Sequence, residues 1–576
     1  MIPHKTSLHL IVSVLLLTLI LASCAAPAAP TVAPTAAAKP TSVPATAAVV
    51  AATAPAPTTA APTAPQPTKA PAPPTTAPTA ASAKPQTPVV IIQGVDPPTL
   101  DVQFVETGAL ANVALQMFDT LLEYDKDMNI VPSVAESYKL LPDQVTWQFK
   151  IKKGIKFWDG EVLDANAVKF TFDRMMDPEL RKQGLNDPFP GRVGFDHCDV
   201  VDDYTINFVL KKPSILFPVY ITFPYLLAPD YYKKTPPQQT AIKPMGSGPW
   251  MFKEWVKDDH FTLVANPNYF LGKPQIDTVI IKPVPQISTR LAMLEAGEAD
   301  IAADLTPEDI ARVQAKPNLR ISTVGSSGRR VGIVIPTNIP LFRDRRVRLA
   351  MNYAVDFDAI NKSILGGLAQ GHMEVPVNGN FWLNPAIKPY PYDPDRAKTL
   401  LQEAGWNPNT QVTIYSTDGR YLKDKEMCQA IAGYLTKVGI KAQAQTLEFS
   451  VWSDKNSKSL FDMPFMMGLG SRSFGPEDLS IHFEKGFQGY EWQTETEKGP
   501  AARKLFDQLT STFDEKKQQE LVFQIEQMFY DEAPWIPLWR QVSVFGVNKR
   551  IDWGGSGNTR IDLWIVNSPD VHFTSP

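Results

Sequence analysis

A tract of 64 residues, Ala25 to Pro88, cannot form a packed core, and it sets the organisation of the rest of the chain. It holds 24 Ala, 16 Pro and 13 Thr, no aromatic residue, no acid, and only three charges, Lys39, Lys69 and Lys84. Such a composition buries too little apolar surface to offset the entropy of ordering, so the tract is expected to stay disordered. Its proline content favours polyproline II at about 3.1 Å per residue, a reach of roughly 200 Å when extended and roughly 45 Å as a coil. The foldable part is therefore 89–576, long enough for two or three domains.

An apolar run from Leu8 to Leu21 precedes the tract, with Lys5 as its positive flank. At roughly 14 residues it is shorter than the ~20 a membrane-spanning helix needs. It reads as a secretory leader, residues 1–23. The sequence Leu21-Ala22-Ser23-Cys24 resembles the bacterial lipobox, which implies a diacylglyceryl group on Cys24 and cleavage before it. Residues 24–88 then form a lipidated cysteine and a tether, and the body is extracytoplasmic, anchored to the cell membrane at the periplasmic or outer surface. Two or more acyl chains give stable anchoring. An uncleaved signal anchor is the alternative reading.

Charge excludes a second class of function. The whole chain carries −4; without Lys5 and the three tether lysines the body has 52 basic against 60 acidic residues. It offers no basic field for nucleic acid. No CxxC, HExxH, Walker loop or GxSxG occurs, and the seven His are scattered without ligand spacing. Neither a cofactor nor a metal is expected, and no catalytic residue is assigned. Asp125-x-Asp127-x-Asn129 with Glu136 mimics an EF-hand loop, but Ile130 replaces the sixth-position glycine and Pro132 interrupts it. A hairpin turn is the better reading. Cys198 and Cys428 lie far apart in sequence, and two unpaired buried thiols are favoured over a disulfide.

Strands and helices alternate through the body. Val145, Trp147, Phe149 and Ile151 recur at period two, as do Tyr204, Ile206, Phe208 and Leu210. Thr278–Ile281 and Val331–Ile335 read as buried strands. Asp393-Pro394 starts a helix carrying Ala397, Leu400, Leu401 and Ala404, which Gly405 stops. Val347, Ala350, Met351 and Ala354 form one more apolar stripe, and Leu521, Ile525, Met528 and Phe529 another. The class is α/β.

A series of short segments then lines up with one family. Pro98-Thr99-Leu100-Asp101, Val131-Pro132-Ser133-Val134-Ala135-Glu136-Ser137-Tyr138, and Trp147-Gln148-Phe149-Lys150 with Gly154-Ile155-Lys156-Phe157-Trp158-Asp159-Gly160 are three of its landmarks. Gly246-Ser247-Gly248-Pro249-Trp250, Asn266-Pro267-Asn268-Tyr269-Phe270, Arg345 through Ala350, and Tyr392-Asp393-Pro394 through Gly405 are the others. In this order they resemble the extracellular solute-binding proteins, family 5, which serve ABC importers of peptides, nickel and related solutes. The resemblance implies a bilobal periplasmic-binding-protein fold of type II with an extra inserted domain and a ligand cleft between the lobes. One lobe is expected from 89–125, 236–330 and 531–576, the inserted domain from 126–235, and the second lobe from 331–530. It implies binding without turnover, a monomer, and delivery of solute to ABC permease subunits.

The family's ligand loops place Glu106, Thr107, Phe381, Trp382, Arg472, Phe474, Tyr490 and Trp492 in or near the cleft. Peptide binders of the family carry an aspartate after their glycine-rich strand that neutralises the peptide's α-ammonium. The matching residue here is Arg472; a shift of alignment would bring Glu477 or Asp478 to that place instead. A guanidinium there favours a carboxylate, phosphate or other anionic acceptor. The aromatic residues suit apolar side chains or sugar rings. An oligopeptide is the expected solute, and an oligosaccharide or another organic or anionic solute is the alternative. An envelope structural lipoprotein and an exported hydrolase are the readings from other classes.

Overall fold

The computed structural model describes residues 87–552, except 105–107, 126–128, 186, 325–328, 373–381, 471–475, 481 and 485–488, together with 572–573. The chain parts into two units, Met1–Ser82 and Ala83–Pro576, and the described residues all fall in the second. Cys24 and the tether lie outside them.

Two large sheets form the lobes. The first has seven strands in the order Leu319–Val324, Ser543–Asn548, Ile301–Ala302, Val89–Gln93, Thr278–Pro283, His260–Ala265 and Trp250–Val256. Its central strands are buried on both faces, as parallel strands usually are. Ile92, Ala302 and Val544 pack with Leu291, Leu294 and Val313 on one side. Val89, Ile91, Ile301, Phe545 and Val547 join the main core on the other.

The second sheet has six strands, in the order Gln370–His372, Trp535–Arg540, Arg329–Val334, Phe465–Gly470, Gln411–Ser416 and Lys441–Thr446. Ile333, Met466, Ile536 and Leu538 meet the helices Arg345–Tyr353 and Asp424–Lys437 through Val347, Met351, Met427 and Ile431. Val334, Phe465 and Trp535 face the opposite way, into the core that holds Ile525 and Phe529 of the helix Glu515–Glu532. Period-two alternation thus divides one apolar run between two cores.

The sheet order corrects one expected boundary. Residues 531–576 are expected in the first lobe, yet Trp535–Arg540 pairs with Arg329–Val334 in the second sheet, and Ser543–Asn548 returns to the first. Every residue from Trp535 to Trp539 is buried, so the strand must lie inside a sheet covered on both faces. Pro537 has no N–H to give the ladder, and the register shifts between Val331 and Gly332 where it falls. The chain therefore crosses between sheets twice, from Val324 to Arg329 and from Arg540 to Ser543.

A third sheet of four strands, Ala135–Leu140, Thr146–Ile151, Thr205–Leu210 and Phe195–Asp202, is built within 126–235. Phe149, Phe172, Phe189, Phe195, Phe208 and Phe217 pack its inner face ring to ring. The supposed EF-hand is a hairpin: Leu122–Tyr124 pairs antiparallel with Ile130–Pro132, and the Asn129 amide donates to Asp125 Oδ1 at 2.8 Å. Cys198 and Cys428 are buried and unpaired, and burial pushes the Cys198 thiol up to about 12. No described helix is long and apolar enough to cross a membrane.

Asp119 marks the place where the first lobe leads into the inserted domain. Its carboxylate accepts from Ser247 Oγ at 2.6 Å and from the Tyr269 hydroxyl at 3.0 Å, and its carbonyl accepts from the Leu226 amide. Burial raises its pKa from 3.8 to about 6, against the downward pull of those two side-chain bonds. Between these values the folded protein keeps a proton that the unfolded chain has released. This group's contribution is therefore greatest below about pH 4, declines as pH rises to about 6, and is constant above, a change of roughly 3 kcal/mol. Urea unfolding of wild type and Asp119→Asn should give a stability difference that moves by that amount between pH 4 and pH 7. A pH-independent difference would show that Asp119 does not titrate in this window.

Candidate ligand-binding cleft

The two crossovers join the sheets, and ends of several strands of the second sheet lie beside them. Arg329 and Arg330 open one strand directly after the first crossover, and Arg330 lies in register with Leu469 on one neighbour and Arg540 on the other. Gln370 is the partner of Arg540 on the next strand out. The segments 325–328, 373–381 and 471–475 adjoin these strand ends in sequence. They contain three of the eight expected ligand residues, Phe381, Arg472 and Phe474.

Glu106, Thr107, Phe381, Arg472 and Phe474 lie outside the described residues. Trp382 is half-buried and packs against the main core. Tyr490 is also half-buried. It follows Gly489, whose positive φ of 106° and close approach to Val334 leave no room for a side chain: a Cβ there would sit 2.8 Å from Val334 Cγ1. Gly489 N–H donates to Glu491 Oε2 at 2.7 Å, which fixes the turn that presents Tyr490.

Trp492 is a correction. It has no solvent exposure, its indole N–H donates to the His482 carbonyl at 3.1 Å, and its ring meets Phe483 and Phe529 at centroid distances of 5.3 and 5.1 Å. An indole with its donor satisfied and both faces covered is core, so Trp492 cannot wall a cleft.

The acid that a shifted alignment would supply is also committed. Asp478 is fully buried in the helix Pro476–Ser480, and its Oδ1 lies 3.1 Å from Arg330 Nη2 in an ion pair whose side chains are 1% and 0% exposed. Turning Asp478 to a ligand ammonium would break this buried ion pair, at the cost of separating two desolvated charges. Its carboxylate is thus already engaged by a buried guanidinium. Sequence reasoning missed Arg330 because a basic pair before an apolar run looks like a solvated strand entry.

The inserted domain grips the same region. The Tyr220 hydroxyl and Ser480 Oγ are 2.7 Å apart and both buried. Arg192 Nε donates to Glu484 at 3.1 and 3.3 Å while its guanidinium lies 5.5 Å from the Tyr220 ring centroid. The Ile215 amide donates to the Thr510 carbonyl at 2.9 Å. Burial holds the Tyr220 hydroxyl well above its ordinary pKa, so it stays a neutral hydrogen-bonding group. Among the described residues no three His, Cys, Asp or Glu side chains are placed to hold a metal ion.

Comparison with known proteins agrees with this geometry. A family model described as bacterial extracellular solute-binding proteins, family 5 (middle), matches residues 129–490, more than half of the chain. The glutathione-binding protein GsiB of Escherichia coli O157:H7 is 28% identical over 500 residues, covering 84% of this chain and 93% of that protein. Di/tripeptide-binding protein 2 of Pseudomonas aeruginosa is 26% identical over 438 residues, covering 71% and 81%. The fold is shared with the ABC transporter-associated periplasmic binding protein DppA of Helicobacter pylori, solved with the peptide STSA, at a TM-score of 0.74 and 24% identity over 84% of this chain and 98% of that one.

Proposed function

The chain belongs to the bacterial extracellular solute-binding proteins, family 5, and on that footing we propose that it captures a short, anionic oligopeptide between its lobes and hands it to an ABC importer's permease. Members of this family bind solutes and do not transform them. The observation that carries the reading is the double crossover between the two sheets, a hinge about which lobes can close on a ligand. Lipid on Cys24 would keep the receptor in the plane of the permease and raise its effective concentration there. The tether would give the body room to dock.

Arg472 carries the anionic preference. In the family resemblance it is the nearest match to the position where peptide binders carry an aspartate, and Asp478 is already paired with buried Arg330. Relatives that bind glutathione and di- or tripeptides support a short ligand. An oligosaccharide is the second reading, favoured by Phe381, Trp382, Phe474 and Tyr490. Glu106 and Thr107 would complete the first lobe's side of the site.

Calorimetric titration with glutathione, di- to pentapeptides and xylo-oligosaccharides tests this. Acidic peptides should bind, and Arg472→Ala should weaken them roughly 10- to 100-fold, the loss expected for a charge-assisted guanidinium–carboxylate contact. Unchanged affinity would remove Arg472 from the site, and binding of sugars alone would remove the peptide. In cells, Cys24→Ala protein should appear in the medium with binding intact; retention at the membrane would favour a signal anchor.

A further inference from the structure

Apart from the inserted domain's contacts, a separate set joins the lobes. Pro307–Gln314 is a helix of the first lobe, started by a reciprocal cap in which Thr306 N and Oγ1 both donate to Asp309 Oδ2 at 2.9 and 2.7 Å. The residue before that cap, Leu305, donates its amide to Val544 O on the strand that leaves the second crossover. Glu308 lies in the first turn. Its Oε1 is 3.1 Å from Lys423 Nζ in the second lobe.

Lys423 is held in an unusual posture. Its φ is 55°, a left-handed conformation that costs a residue with a Cβ, at the start of the helix Asp424–Lys437. The next residue over-determines it. The Asp424 carboxylate accepts from Thr417 Oγ1 at 2.6 Å and from the amides of Gly419, Arg420, Tyr421 and Lys425 at 2.9 to 3.2 Å. Strain held in place by a surrounding network points to a placed side chain. Alongside, Gly366 has a φ of 61° and comes so near Pro307 that a Cβ would sit 2.9 Å from Pro307 Cβ, while Leu368 packs against the first lobe's core.

We infer that Glu308 and Lys423 form an electrostatic latch between the lobes that biases them toward closure before solute arrives. This rests on the reading that the lobes open and close about the double crossover. The backbone that carries each partner is fixed, Glu308 by the Thr306–Asp309 cap and Lys423 by the Asp424 network. The latch is also the contact able to break. Glu308 remains 63% exposed and Lys423 21%, and Glu426 waits 3.9 Å from Lys423 as an alternative partner once the lobes part. The inserted domain's grip is buried and partly main-chain, and does not share that property.

A pair this exposed is worth up to about 1 kcal/mol, so losing it should lower the closed-to-open ratio roughly fivefold. The test is small-angle scattering of the solute-free full chain. Lys423→Glu should give a larger radius of gyration than wild type, and the Glu308→Lys/Lys423→Glu double variant should restore it. Raising salt to about 1 M, where screening acts within about 3 Å, should move wild type toward Lys423→Glu. Lys423→Asn, which tolerates the left-handed backbone, guards against a folding defect in the reversal and should expand the protein likewise. Equal radii for wild type, Lys423→Glu and Lys423→Asn at low salt would overturn the latch. Because no solute is present, that result is separate from a failure of the protein to bind peptides.

Discussion

Asp101→Ala is expected to destabilise the body by roughly 3 to 5 kcal/mol, the range for stripping one partner from a buried ion pair. Asp101 is 1% exposed and lies in the turn after the first strand. Its two oxygens accept from Arg174 Nη1 and Nη2 at 3.2 and 2.6 Å, and Oδ2 also accepts from Thr240 Oγ1 at 2.6 Å. Arg174 belongs to the helix Ala165–Met176 of the inserted domain. It also donates to Gln103 Oε1 at 2.6 Å and lies 5.2 Å from the Tyr232 ring centroid. The network thus ties the N-terminal turn to the inserted domain. Without the carboxylate, a guanidinium with a 5% exposed side chain loses the acid it is buried beside. Exposed pairs such as Lys169–Asp173, at 39% and 54%, give the contrast, with about 0.3 to 0.5 kcal/mol at stake. Thermal unfolding of Asp101→Ala, Arg174→Met and Asp101→Ala/Arg174→Met checks the assignment. The double variant should cost clearly less than the two single losses added together. Strict additivity would mean the two side chains do not act as a pair.

That network shows why the sequence could be read so far and no further. Local signals were legible because their causes are local. Thr146–Ile151 alternates because one face is buried, and Pro394–Glu403 starts where Asp393 accepts from the Arg396 amide. The landmark segments were visible as landmarks, but their work was not. Asp101 finds Arg174 across 73 residues, and Ser247 finds Asp119 across 128, and no pattern within either segment names the other. The same limit explains the displaced boundary. Trp535–Arg540 is plainly an apolar strand, but which sheet takes it is settled by the far-off Arg329–Val334. Trp492 failed for a different reason. An aromatic residue beside an expected ligand loop looks alike whether it faces a solute or a core, and here Phe483, Phe529 and the His482 carbonyl enclose it. The latch went unread because Glu308 and Lys423 are ordinary surface charges until the fold sets them 3.1 Å apart.

Gly248→Ala should be nearly as costly as the loss of Asp101, about 3 kcal/mol, at the top of the usual range for overpacking because the obstacle is main chain. The segment Gly246-Ser247-Gly248 passes directly over the end of the helix Gly108–Met117. A Cβ on Gly248 would sit 2.5 Å from Met117 C, 2.7 Å from Phe118 N and 2.8 Å from Gln116 O, and one on Gly246 would sit 2.0 Å from Met117 O. Neither strand of the contact is free to give. Gly248 N–H donates to Met117 O at 2.9 Å, its carbonyl accepts from Trp158 Nε1 at 3.2 Å and Asn266 Nδ2 at 3.1 Å, and Trp250 is pinned through its indole N–H to the Ile276 carbonyl. Any shift that made room would also draw Ser247 from Asp119 and loosen the junction with the inserted domain. Gly433→Ala is the matched comparison. Gly433 lies within the helix Asp424–Lys437 with nothing within 4 Å of its Cβ position, so the same substitution there should stabilise by roughly 0.5 to 1 kcal/mol. The two alanine variants should therefore move the melting temperature in opposite directions. A Gly248→Ala protein that melts with wild type would mean that the close crossing over Met117 relaxes freely, and the landmark glycines would then need another explanation.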